Sequence, residues 1–165
     1  MLANGYFNGH IKPRHVFLID PIIVPSDKLL TLVGVLGPII GYTTVDNTKD
    51  EEKYYYHYRP YETLQELRNV INVVRKDLEN GFKLPAGCSL NVFKSEKDAV
   101  ADPVSAVMIY KGLTTNTGGH VDVSMVPSNL HVYTRLAGRD ISPSASDVQN
   151  QTLVFNKIAN LLISK

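Results

Sequence analysis

The chain has 165 residues, enough to bury a core without disulfides or metal, and its size is that of one domain. Its 17 basic and 16 acidic residues leave a formal charge of +1, too even a balance for an electrostatic binder of nucleic acid or of a membrane surface. The single cysteine, Cys88, closes no internal disulfide and supplies no Cys-rich metal site; it reads as a small buried apolar residue in a reducing compartment.

Residues 1–13 combine Gly5, Gly9, two asparagines and Pro13 with scattered Tyr6 and Phe7. This composition predicts a flexible N-terminal arm carrying aromatic anchors, ahead of a single α+β domain over 14–165. The arm lacks the apolar centre of a secretion signal, and the apolar run from Leu29 to Tyr42 is broken by Gly34, Gly37 and Pro38 and is too short to span a bilayer. Cytoplasmic synthesis without membrane insertion is the expectation.

His15 to Asp20 reads as a short buried strand bounded by Pro13 and Pro21. Ser26 is placed to cap a helix ending at Gly37 and Pro38, but Leu29, Leu30, Leu32, Val33, Val35 and Leu36 cover nearly all its sides. Such a segment is a buried helix, one pressed into a partner, or a strand pair. From Gly41, "YTTV" and "KYYYHYR" flank a charged loop and predict a hairpin near residues 42–59. Tyr54 to Tyr58, flanked by Lys53 and Arg59, resembles a stacking platform for single-stranded nucleic acid, yet Asp50, Glu51 and Glu52 would repel phosphate.

"TLQELRNVINVVRKDLENG" predicts a helix over 63–80: Thr63 and Glu66 form a capping box, Leu64, Leu67, Ile71, Val74 and Leu78 recur at helical spacing, and Asn80–Gly81 ends the run. Beyond Pro85 the pattern reads as an antiparallel meander near residues 88–137, with Val104 to Tyr110, apolar on both faces, as a central strand. Ser146 and Gln149 then open a C-terminal helix over 146–163, whose apolar residues extend beyond half its circumference. The predicted fold class is therefore α+β: an antiparallel β-sheet packed against a central helix (63–80) and a C-terminal helix (146–163). The Asn-x-Thr match at Asn150 falls inside that helix and reads as chance.

"HVDVSMVPSNLHVYTR" reads as a hairpin with Val121, Val123, Met125, Leu130, Val132 and Leu136 on its inner face. His120, Asp122, Ser124, His131, Tyr133 and Arg135 then share the other face. A Ser–His–Asp trio is in reach there, but Asp122 and Ser124 would approach His131 from one side, and no Gly-x-Ser-x-Gly elbow exposes a nucleophile. The histidines His10, His15, His57, His120 and His131 show no metal-binding spacing, and "TNTGGH" is a turn, not a phosphate cradle.

These readings assign no catalytic, cofactor or metal residue. The leading expectation is a non-enzymatic structural subunit of a symmetric homo-oligomer, most concretely a viral or bacteriophage capsid or tail component. It would associate with itself and other virion proteins through Tyr6, Phe7, Leu32, Val35, Leu36, Phe155, Ile158, Leu161 and Leu162. The alternatives are a small hydrolase-like enzyme with His131 as general base beside Asp122, Ser124 and Tyr133, or a binding module built on Tyr54 to Tyr58.

Overall fold

In the computed structural model, residues 13–26, 41–44, 46–47, 49, 51–137 and 142–163 are described. The expected arm up to residue 12 and the apolar segment 27–40, with Tyr6, Phe7, Leu32, Val35 and Leu36, lie outside them. The elements run β1 (His15–Ile19), β2 (Tyr42–Thr44), β3 (Tyr58–Pro60), α1 (Tyr61–Asn80), β4 (Phe82–Lys83), β5 (Ser89–Ser95), α2 (Val104–Gly112), β6 (Leu113–Thr114), β7 (Asp122–Val126) and α3 (Ala145–Ile163).

The main sheet has the order β1-β5-β7, and both of its pairings are parallel. Val16, Leu18, Leu90, Val92 and Val123 point to a core shared with Leu78, Ala106 and Ile109 of α1 and α2. Phe17, Ile19, Phe93 and Val126 point to the opposite core, closed by Val154 and Ile158 of α3. Helices on both faces explain why β1 is apolar from Val16 to Ile19 with no alternation of polar residues.

This arrangement corrects the expected antiparallel meander. Val104–Gly112 is a helix, not a central strand: its buried residues Ser105, Ala106, Ile109 and Gly112 follow helical spacing, and Asp102 Oδ1 accepts the Val104 N–H at 2.8 Å. A short apolar run fits a buried helix as well as a buried strand, and here the crossover between two parallel strands requires the helix. The 120–135 segment is not a hairpin either. β7 pairs with β5, from Asn91 with Asp122 to Ser95 with Val126, and the chain beyond Val126 continues in turns.

β2 and β3 pair antiparallel, from Tyr42 with Pro60 to Thr44 with Tyr58, while Tyr54 to His57 lie outside any strand after a short 3-10 turn at Glu51–Lys53. α1 begins at Tyr61 without a side-chain cap, so Thr63 and Glu66 fall inside its first turns. α3 is capped two residues earlier than its sequence suggested. The Ser144 N–H donates to Asp147 Oδ2 at 2.8 Å, and the Asp147 N–H donates back to Ser144 Oγ at 3.2 Å.

Gly112, the last residue of α2, lies against the backbone of α1. A Cβ there would stand 2.2 Å from the Leu78 carbonyl oxygen and 2.8 Å from the Leu78 Cα, and neither backbone atom can move aside cheaply. Gly112→Ala is therefore expected to destabilise the fold by about 1–3 kcal/mol, read by urea unfolding. A variant with wild-type stability would show that the two helices do not approach this closely.

Candidate active site

In a parallel sheet all carboxyl ends share one edge, the edge where open α/β sheets bind their ligands. Asp20 follows β1, Asp98 follows β5 and His131 follows β7, so three loops bring their polar side chains together there. Asp98 is buried, and its Oδ2 accepts a hydrogen bond from His131 Nδ1 at 2.9 Å. Its Oδ1 accepts the backbone N–H groups of Val100 at 2.8 Å and Ala101 at 3.1 Å, which fixes the plane of the carboxylate. The His131 side chain is 26% exposed and so meets both this interior and the surface.

Asp20 is equally buried and gathers donors from two other elements. It accepts the Ser95 N–H at 2.7 Å, the Ser95 hydroxyl at 3.1 Å, Lys94 Nζ at 3.3 Å and the Tyr133 N–H at 3.4 Å. The Ser95 hydroxyl also lies 2.8 Å from the Leu130 carbonyl. On the other side of the loop, Asn150 of α3 donates to the Pro127 carbonyl at 3.2 Å and Gln151 donates to the Thr134 carbonyl. The loop that carries His131 is thus held by bonds from Asp20 after β1, from Ser95 of β5 and from α3.

Burial pushes the Asp98 carboxyl up, but the hydrogen bonds from Lys94, His131 and the Ala101 and Val100 N–H groups outweigh it and hold the group below its ordinary value. Burial, and then the charge of Asp20, push the Tyr133 phenol well up. Among the described residues the Tyr133 hydroxyl is the one buried side-chain polar atom without a partner. Burial also raises the Cys88 thiol, which opposes any role as a thiolate nucleophile.

The sequence-predicted residues separate. His131 is in the site and Tyr133 is buried beneath it, packed with Phe93, Leu130 and Val154. Asp122 and Ser124 are drawn to α3 instead, where Lys157 Nζ lies 3.0 Å from the Asp122 carboxylate and 2.9 Å from Ser124 Oγ. His120 stacks on Tyr110 with ring centroids 4.2 Å apart. The acid partner of His131 is Asp98, which lies in "SEKDAVADP", a stretch that reads as a turn from sequence. The available signal was position: an aspartate three residues beyond a strand that leads into a crossover helix.

Of the expected interface residues within the described chain, Phe155 is 48% and Leu162 59% exposed, whereas Ile158 packs against the core and Leu161 is half-buried. The tyrosine segment is joined to the histidine loop through Arg135 Nη1 and Glu51 Oε1, 2.9 Å apart. Tyr55, Tyr56, Tyr58 and Pro60 border an open cleft of about 610 Å³ beside it.

No family model and no curated protein matches the sequence. Among solved structures, a chain from the work on LipS and LipT, two metagenome-derived lipolytic enzymes, superposes with a TM-score of 0.59 at 15% identity. The match covers 95% of this chain and 59% of that one. The likeness is one of fold: a mostly parallel sheet with helices on both faces. The mouse α/β hydrolase domain-containing protein 10 also matches, with a TM-score of 0.48 at 16% identity over 88% of this chain and 53% of its own. This chain therefore spans little more than half the length of either neighbour. The shared fold overturns the expectation of a non-enzymatic capsid or tail subunit, because the architecture matched over nearly the whole chain is that of lipolytic enzymes and not of a virion component.

Two stability outcomes follow from the buried pairings. Because the Asp98 carboxyl is depressed in the fold, its contribution is fully present above the ordinary aspartate value of about 3.9 and is lost as pH falls through the lower folded value. Asp98→Asn should cost about 3–5 kcal/mol near neutral pH and flatten the acid side of the stability profile; a profile parallel to wild type would contradict the pairing. Tyr133→Phe, which removes a buried hydroxyl lacking a partner, is expected to leave stability unchanged or raise it by about 1 kcal/mol. A loss of that size in thermal unfolding would instead reveal a partner for the phenol.

Proposed function

We propose that this chain carries the acid–base half of a hydrolase acting on esters, with His131 as general base and Asp98 as the carboxylate that orients it. The observation that carries this reading is the 2.9 Å bond from His131 Nδ1 to the buried, doubly anchored Asp98 at the carboxyl edge of the sheet. A carboxylate on Nδ1 selects the tautomer whose Nε2 accepts a proton. The chain order, acid before histidine, is that of hydrolytic triads on this fold.

In the proposed reaction, Nε2 takes a proton from the water that attacks the ester carbonyl, so that the acyl group leaves as the free acid, and Asp98 remains ionised to stabilise the resulting imidazolium. The imidazolium then returns the proton to the departing alkoxide, which restores the base. The described residues supply the base and the acid. Ser124, held by Lys157, is not the nucleophile in this reading. Tyr55, Tyr56 and Tyr58 are exposed in the segment that Glu51 ties to Arg135 of the histidine loop, which favours an uncharged, partly apolar substrate.

Hydrolysis of short- and medium-chain p-nitrophenyl esters tests the reading. His131→Ala, with folding verified by circular dichroism, is expected to lower kcat/KM by about a hundredfold or more, while Ser124→Ala leaves it unchanged. Wild-type protein inert toward every ester in the series, or a His131→Ala variant as active as wild type, would contradict it.

A further inference from the structure

Lys94 is a residue that the acid–base reading does not use. It occupies the central strand, its side chain is 0% exposed, and a lysine is almost never shut away in this manner without a partner. Its Nζ lies 2.5 Å from Asp98 Oδ2 and 3.3 Å from Asp20 Oδ1. The oxygen it holds on Asp98 is also the one that receives His131 Nδ1 at 2.9 Å. Asp20, Asp98 and His131 bring their donor atoms within 4.8 Å of one another, and the cation beside the two carboxylates is the ammonium of Lys94, so the cluster is an ion-pair site and not a metal site.

Two carboxylates and one ammonium leave this interior one negative charge in excess. Without Lys94 the excess would be two, carried by carboxylates whose oxygens lie within 4.8 Å of one another. Like charges packed at such distances do not both remain ionised; one takes up a proton. A protonated Asp98 can no longer hold the imidazole as a carboxylate does.

We propose that Lys94 is a positioning residue for the site: its ammonium, enclosed between Asp20 and Asp98, keeps Asp98 ionised and in place to receive His131, by bonding to the same oxygen. The inference rests on Asp98 and His131 acting as the acid–base pair, but its test reads Asp98 directly and needs no turnover. The groups facing Asp98 are Lys94 on β5, Asp20 after β1, His131 after β7, and the Val100 and Ala101 N–H groups of its own loop, while the un-ionised Tyr133 faces Asp20. The ammonium is the single lysine or arginine charge among them.

The experiment is a carbon-13 NMR titration of the Asp98 carboxyl in the whole chain without substrate. In wild-type protein Asp98 is expected to titrate below the ordinary aspartate range, and in Lys94→Met at least about one pH unit higher than in wild type. An Asp98 midpoint that is ordinary in wild type, or unmoved in a folded Lys94→Met variant, overturns the proposal. If Lys94→Met does not fold, Asp20→Asn replaces it: the ammonium then serves Asp98 alone, so the midpoint stays or falls, and a rise overturns the proposal. An unmoved Asp98 with ester hydrolysis intact would remove this role alone. A shifted Asp98 in a protein without hydrolysis would keep it and remove the acid–base reading.

Discussion

A charge taken out of water costs several kcal/mol, and the fold bears that cost at Lys94 by surrounding one ammonium with two carboxylates and filling their remaining acceptor sites with N–H and O–H donors. Each acid follows a different strand. Satisfying the lysine therefore ties the end of β1 to the end of β5, and the same carboxylates reach across to the loop that follows β7. The apolar cores on the two faces of the sheet set which elements pack. The ion-pair cluster sets how their ends meet, and the candidate site is made from those ends.

The histidine loop carries a cost of its own. Val132, next to His131, has φ 51°, a conformation disfavoured for a β-branched residue, and Asp20 has φ 47°, which an aspartate tolerates better. Strain of this kind persists where the surroundings over-determine the backbone. Here the Tyr133 ring is enclosed in the core, its N–H bonds Asp20, the Arg135 N–H returns to the Val132 carbonyl at 2.9 Å, and Gln151 holds Thr134. The loop is kept in one shape by contacts on both sides of the imidazole, as a site that must hold a hydrogen-bond direction requires.

Local order was legible in the sequence, and long-range order was not. The spacing of Leu64, Leu67, Ile71, Val74 and Leu78 announces α1, and that of Val148, Phe155, Ala159 and Leu162 announces α3, although the face that α3 buries is that of Val154 and Ile158. Parallel pairing depends on a partner far along the chain: His15 lies beside Ser89, and nothing around either residue names the other. The apolar run of α2 was ambiguous for the same reason. Misplacing it turned the β5–α2–β7 crossover into a meander and gave His131 the wrong neighbours. The histidine was recognisable as a base, whereas its acid was hidden in a turn-like stretch 33 residues earlier, joined to it only once the sheet is parallel.

The central claim, that a buried and ionised Asp98 orients His131 through Nδ1, is tested most directly by long-range proton–nitrogen NMR of the histidine rings. The account predicts that neutral His131 carries its proton on Nδ1, with Nε2 unprotonated. A spectrum placing that proton on Nε2 would contradict it.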